Sequence, residues 1–301
     1  MKAKKQINQP KRFPAKVLLF GEHTVLRGSK ALAMPFLQKS CYWSWEEKYE
    51  DKSLRPFAHY LEENFPKAFR FQELKEDIRQ GLYLHSNIPN GYGLGSSGCV
   101  CVAVFYNYST AYGKTLLKQN PKAFFAKMEA FFHGASSGTD PLIIYLEQSI
   151  CLYREEQYEF VKIPDLTKNY QFFLLDTEQT RKTGPLVQRF IKKYDDQQAF
   201  KNLVDKNWSK PTDVAIGALL NNNMELLWSS FEKISHFQLT HLKDWVLPSL
   251  IPIWQNGLKN QDYLLKICGA GAGGYCLGLC RDFEKTKTDL GENRVIRLSV
   301  K

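Results

Sequence analysis

The chain contains no apolar run long enough to cross a membrane. Its basic start, Met1-Lys2-Ala3-Lys4-Lys5, is not followed by an apolar h-region, so no secretory signal is expected. Cysteine is sparse: seven residues, an odd number without framework spacing. Cys99, Cys101, Cys151 and Cys276 lie inside apolar stretches, and neither Cys99-x-Cys101 nor Cys276-x3-Cys280 has a partner pair at metal-ligand spacing. Buried thiols, not disulfides or zinc ligands, are expected. Internal repeats and low-complexity tracts are missing, and no Gly-Lys-Ser/Thr closes a Walker-type phosphate loop. These absences exclude a membrane protein and a disulfide scaffold. They lead to the expectation of a cytoplasmic globular chain that does not bind membranes.

What is present fits that class. The chain has 301 residues, is 44% apolar and 24% charged, and carries a formal net charge of +10. That length suits two domains, and Pro164-Asp165 is the expected boundary, giving 1–165 and 166–301. The positive charge raises the question of nucleic acid. The lysines and arginines are scattered and broken by acids, as at Glu46-Glu47-Lys48, with no basic stripe and no stacking motif. No nucleic-acid partner is expected. A basic protein handling small anionic molecules explains the sign equally well.

The most informative stretch is Ile88 to Gly98, with glycines at 91, 93, 95 and 98 and serines at 96 and 97. The alternating run Leu82 to Ser86 before it reads as a strand, and the apolar run Cys99 to Tyr108 after it as a buried helix. Glycines allow close backbone approach and positive φ, and a helix's first N–H groups favour an anion. A phosphate cradle is the reading. Elsewhere Phe13 to Phe20 reads as a strand, resuming at Ala31 to Pro35, and Cys41 to Tyr49 as a half-exposed strand. Leu54 to Phe65 has helical spacing, and Asn120-Pro121 starts a helix that stops at His133-Gly134. Strands are expected at 150–153, 158–163, 171–176, 263–268, 275–280 and 295–300, with helices over 185–258. Strands and helices mix without strict alternation, which indicates an α+β fold in each half.

Two segments, Gly93 to Gly98 and Gly269 to Gly274, fit G-x-G-x-x-G. A dinucleotide fold needs an acidic residue about 20 positions on. After the first loop that region is Leu116 to Asn120, with no acid, and the second loop runs into a strand. What remains is a phosphate loop of another type, with polar islands in apolar surroundings: Lys16 with Glu22-His23, then Glu129, then Asp140. Phosphoryl transfer needs such parts: a cradle, hard oxygens for magnesium, a group on the acceptor hydroxyl, and cations on the developing charge. Taken singly, Glu129 reads as the solvent face of an aromatic helix, and Asp140 reads equally well as an N-cap.

With these residues in order, the chain resembles the GHMP kinase superfamily, and its mevalonate kinase branch most closely. Pro14-Ala15-Lys16 through Gly21-Glu22-His23-Thr24-Val25-Leu26-Arg27-Gly28 is similar to P-G-K-x-x-L-x-G-E-H-A-V-V-x-G. Gly91 to Ser97 is similar to the ATP-phosphate loop G-x-G-L-G-S-S, and Lys266 to Gly274 to K-x-T-G-A-G-G-G-G. Glu129 to Asp140 resembles E-x-x-x-H-G-x-P-S-G-V-D-N, and Asp176 to Thr183 resembles N-T-K-x-x-R-x-T. The resemblance implies a ribosomal S5 domain 2-like N-terminal domain and a ferredoxin-like C-terminal domain. It implies a kinase using ATP and Mg2+ on a small-molecule alcohol, as a monomer or homodimer. By position, Asp140 and Lys16 would be catalytic. Gly91, Gly93, Leu94, Gly95, Ser96, Ser97 and Gly271 would hold the nucleotide, and Ser97 and Glu129 the magnesium. His23, Glu22, Arg181 and Thr183 would face the acceptor.

Four positions depart from the pattern. Ser136 replaces the proline of P-S-G, Pro141 the asparagine after the aspartate, Cys268 a threonine and Ala272 a glycine. Phosphomevalonate kinases typically carry G-E-Y, and galactokinases follow G-E-H-T with D-Y, where this chain has Val25-Leu26. Those acceptors, or a member that binds ligand without turnover, remain the alternatives.

Overall fold

The computed structural model describes residues 10–47, 51–153, 157–166, 170–180, 183–291 and 294–299. It divides into two compact units that interleave along the chain. The first takes Met1–Lys16, Pro35–Pro89 and Gly95–Glu147, the second Val17–Met34, Asn90–Leu94 and Gln148–Lys301. Strands β1 (Phe13–Phe20) and β2 (Ala31–Trp45) run through residues of both and pair with each other.

In the first unit, Cys41–Trp45 of β2 pairs antiparallel with β3 (Leu82–Ser86). Helices α1 (Leu54–Asn64) and α2 (Phe71–Arg79) lie between the two strands in sequence, each with one apolar face buried. Helix α3 (Ser96–Tyr108) is apolar all round and buries Gly98, Cys99, Cys101, Val102, Ala103, Val104, Phe105 and Tyr108, so it is the core helix. After α4 (Ala111–Gln119), α5 (Pro121–His133) and α6 (Thr139–Leu146) pack on α3 and on each other. Asn120 accepts from the Ala123 N–H at 3.0 Å and Pro121 takes the first helical position, so α5 starts where its cap allows. Phe105, Phe124 and Phe125 meet edge to face, with centroids 5.5 to 6.0 Å apart.

In the second unit, Ala31–Ala33 pairs with β4 (Ile150–Tyr153), which pairs with β5 (Gln157–Phe160). A four-stranded antiparallel sheet then forms from β6 (Gln171–Asp176), β7 (Tyr263–Ile267), β8 (Tyr275–Cys280) and β9 (Val295–Arg297), in the order β7-β8-β6-β9. Strands β7 and β8 are buried throughout. The helices of this unit are α7 (Thr183–Asp196), α8 (Gln198–Val204), α9 (Lys210–Leu220), α10 (Met224–His241), α11 (Ile251–Asn260) and α12 (Phe283–Leu290). A π turn at Asp205–Ser209 joins α8 to α9 just before Pro211, whose ring removes a helical N–H.

The α+β class is the one expected. Local differences have tertiary causes. Residues 31–45 form one strand and not two, because β3 and β4 hydrogen-bond to its two ends. Asp140 and the apolar run after it belong to helix α6, whose apolar side chains are all buried but Tyr145 and Leu146. Helices α2, α4 and α12 were not anticipated; they are short, at 9, 9 and 8 residues. The strand ending at Val300 extends to Arg297, and Val300 lies outside the described residues.

Gly278 of β8 stands opposite Phe173 of β6. A Cβ there would lie 2.0 Å from the Phe173 ring, so the ring covers the glycine. Gly278→Ala is expected to destabilise the protein by about 1–3 kcal/mol through overpacking. A lowered urea midpoint with an unchanged slope is the expected result.

Candidate active site

In the first unit four chain segments converge. Lys16 lies in β1 with only 5% of its surface exposed. A buried ammonium needs a counter-charge, and its Nζ lies 2.8 Å from Asp140 Oδ1. Asp140 sits in the first turn of α6, where the helix dipole favours a carboxylate, and its side chain stays 33% exposed. Ser96 and Ser97 open α3 after Gly95, whose φ of 80° is left-handed. Close packing needs both neighbouring glycines. A Cβ on Gly95 would meet Lys16 Cγ at 3.1 Å, and one on Gly98 would meet the Pro141 nitrogen at 2.9 Å.

Glu129 is the largest departure from the residue-by-residue reading. It is not on a solvent face but only 4% exposed. Its Oε1 accepts from Ser97 Oγ at 2.7 Å and its Oε2 from Ser136 Oγ at 2.5 Å. Burial, and secondarily the negative charge of Asp140, push the Glu129 carboxyl up to about 7, against the opposing pull of the two hydroxyls and Lys16. Ser97 has a further partner, His133 Nε2, at 3.0 Å. Its one proton goes to Glu129, so His133 donates to it. His133 and Ser136 were missed as site residues. His133 is one helical turn after Glu129, an i,i+4 spacing that could have flagged it; nothing in sequence placed Ser136 on the carboxylate.

In the second unit, Glu22 and Lys266 form an ion pair, the lysine also donating to the Ile267 carbonyl at 2.9 Å. Both side chains are within 1% of full burial. His23 is 5% exposed, with φ 58° and ψ −46°, a strained backbone for a side chain with a Cβ. Its Nε2 lies 3.1 Å from the Ala270 carbonyl, and its ring packs on Phe190 and Trp208 at 5.0 and 5.8 Å between centroids. The glycine loop after β7 touches the start of the phosphate loop. A Cβ on Gly274 would lie 2.8 Å from the Tyr92 carbonyl, and Tyr92 stacks edge-on against Tyr275 at 5.1 Å. Gly271 lies against Trp245, whose carbonyl accepts from the Ala272 N–H at 2.7 Å. Gly91, Gly93 and Leu94 fall in this unit. Thr183 opens α7, and Arg181 lies outside the described residues.

The donor set fits magnesium and a nucleotide. Magnesium takes one or two carboxylates and leaves its other positions to water and phosphate oxygens. A buried carboxylate hydrogen-bonded to a helix-start serine meets that demand. Among the described residues no group of three or more His, Cys, Asp or Glu could hold a metal alone, which a phosphate-shared ion does not need.

Residues 51–148 match the family described as GHMP kinases N terminal domain. Structural likeness runs over almost the whole chain. The L. major mevalonate kinase in complex with R-mevalonate superposes with a TM-score of 0.66 at 18% identity, over 98% of this chain and 96% of that one. Lactococcus lactis galactokinase complexed with galactose gives 0.67 at 15%, over 97% and 94%. At these identities the likeness shows a shared α+β fold. In sequence, the Thermococcus sibiricus mevalonate kinase is 24% identical over 299 residues, covering 87% of this chain and 86% of its own length.

The raised Glu129 value has a consequence for stability. Between about pH 4.5 and 7 the folded protein holds a proton that the unfolded chain has released. The Glu129 contribution to stability therefore falls as pH rises from about 4.5 through 7, by about 3 kcal/mol at most. In magnesium-free buffer, Glu129→Gln is expected to gain on the unsubstituted protein between pH 5 and pH 8, measured by urea unfolding. A difference that stays flat across that range contradicts the assignment.

Proposed function

We propose that this chain is an ATP- and magnesium-dependent kinase that transfers the γ-phosphoryl group to the primary alcohol of mevalonate, giving 5-phosphomevalonate. The observation that carries the reading is the ion pair between buried Lys16 and half-open Asp140, in the same unit as the Ser97–Glu129 pair. Such a site has a carboxylate for a hydroxyl proton and a fixed cation beside it.

In this reading Asp140 accepts or orients the proton of the acceptor hydroxyl. Lys16 holds Asp140 in place and stabilises charge at the attacking oxygen. A loose transition state asks little proton abstraction early on, so orientation is the larger part of the Asp140 role. The N–H groups at the start of α3, with Gly91, Gly93, Leu94, Gly95, Ser96 and Gly271, bind the nucleotide phosphates. Ser97 and Glu129 hold magnesium, which when bound neutralises charge on the phosphates being separated. His23, Arg181 and Thr183 contact the acceptor, and Glu22 acts behind His23, anchored by Lys266.

Mevalonate as acceptor is supported by the likeness to the archaeal mevalonate kinase and by Gly21-Glu22-His23 without a following D-Y. Fold likeness extends equally to a galactokinase, so the fold by itself does not select the acceptor. No helix among the described residues is long and apolar enough to cross a membrane. A cytoplasmic location, a monomeric or homodimeric state, the absence of nucleic-acid and membrane partners, and a division at 1–165 and 166–301 complete the proposal.

Coupled ADP release over mevalonate, phosphomevalonate and galactose tests the acceptor, and mevalonate is expected to give the highest kcat/KM. Release with none of them overturns the enzyme reading. Asp140→Asn is expected to lower kcat at least about a hundredfold while leaving ADP affinity near normal. Near-normal turnover in that variant removes Asp140 from the chemistry.

A further inference from the structure

The loop between α5 and α6 carries Ser136, and the structure gives its hydroxyl two partners. Ser136 Oγ donates to Glu129 Oε2 at 2.5 Å and accepts from the Gly138 N–H at 2.9 Å. The second bond fixes the first: with a lone pair committed to a backbone N–H, the hydroxyl proton is aimed at the carboxylate. Gly138 is itself closely packed. Its φ is +70°, and a Cβ there would lie 2.1 Å from the Lys122 carbonyl, so this backbone is seated against the first turn of α5. Two residues further on comes Asp140, at the start of α6.

On the other carboxylate oxygen the arrangement repeats. Ser97 Oγ donates to Oε1 while accepting from His133 Nε2. Each oxygen of Glu129 thus takes one hydroxyl, and each hydroxyl is steered by its own N–H donor. A proline at 136 has no hydroxyl and would leave the Oε2 side without this bond.

We propose that Ser136 is a positioning residue: it holds the Glu129 carboxylate in the orientation that receives magnesium, and couples that orientation to the backbone leading to Asp140. It touches neither phosphate nor acceptor. The inference rests on the reading of Glu129 and Ser97 as the magnesium pair.

The test needs no acceptor. ADP binding to the full chain is measured by calorimetry with and without magnesium chloride, and the magnesium-dependent gain in affinity is compared between variants. Partners that orient a ligand typically govern metal affinity by 10–100-fold. Ser136→Ala is expected to lose about tenfold of that gain, with metal-free ADP affinity unchanged, and Ser136→Thr to keep the gain. In a Glu129→Gln background, Ser136→Ala is expected to cost nothing further, because the bond it removes has already lost its carboxylate. Thermal unfolding checks each variant, and Ser136→Gly serves if the alanine variant does not fold.

A full magnesium gain in Ser136→Ala overturns the proposal. So does an equal loss of metal-free ADP affinity, or a loss of the gain that adds to that of Glu129→Gln. If the unsubstituted protein shows no magnesium-dependent gain at all, the kinase reading itself falls, and this one with it.

Discussion

A lysine buried in a β-strand stays charged only with an anion at contact distance, and that constraint organises the first unit. Lys16 is enclosed by β1 and by the start of α3, and its Nζ is satisfied by Asp140 at 2.8 Å. The chain must therefore return a carboxylate to that point from more than a hundred residues away. Helix α6 does so by placing Asp140 in its first turn, with the apolar residues of the same helix buried against α3 and α5. Removing the Asp140 charge leaves Lys16 buried and unpaired, a cost of several kcal/mol. A pair this costly is poor value as a stabiliser, since an apolar pair of similar volume often does as well. Its retention with the carboxylate one-third open points to chemistry.

The same chain segment feeds a second buried pair. Glu22, just after β1, meets Lys266 of β7 within the second unit. There the ions are almost wholly enclosed, with nothing open to a substrate. Two lysine–carboxylate pairs thus differ in the exposure of the acid. That difference supports the proposal that Asp140 is the reactive carboxylate and Glu22 a supporting one.

Much of this was legible in the sequence where local pattern and chemistry agree. The strand, glycine loop and helix around Ile88 to Gly98, the Asn120-Pro121 cap and the Gly134 stop all follow from backbone rules, and β3, α3 and α5 stand where those rules put them. Glu129 was not legible from its helix. Its neighbours are aromatic on several faces, so periodicity alone could not say which side was inside, and only packing of α5 on α3 and α6 buries it. The hydroxyl partners were less legible still. A serine in a polar loop reads as a turn residue, and its use on a carboxylate depends on the loop's path over α5. The continuity of β2 was hidden for a related reason: Pro35 and a polar middle interrupt the pattern, and the pairing that sustains the strand comes from β4 at one end and β3 at the other.

In the proposed function His23 faces the acceptor, and its geometry shows how firmly it is held. A backbone at φ 58° and ψ −46° costs of order 1–3 kcal/mol and persists only where its surroundings over-determine it. Here those surroundings are the Ala270 carbonyl and the rings of Phe190 and Trp208. The carbonyl can only accept, so Nε2 carries a proton. Ring and backbone are thus fixed together, so the proposed acceptor role of His23 rests on a side chain whose place is set by packing from three sides and not by the substrate.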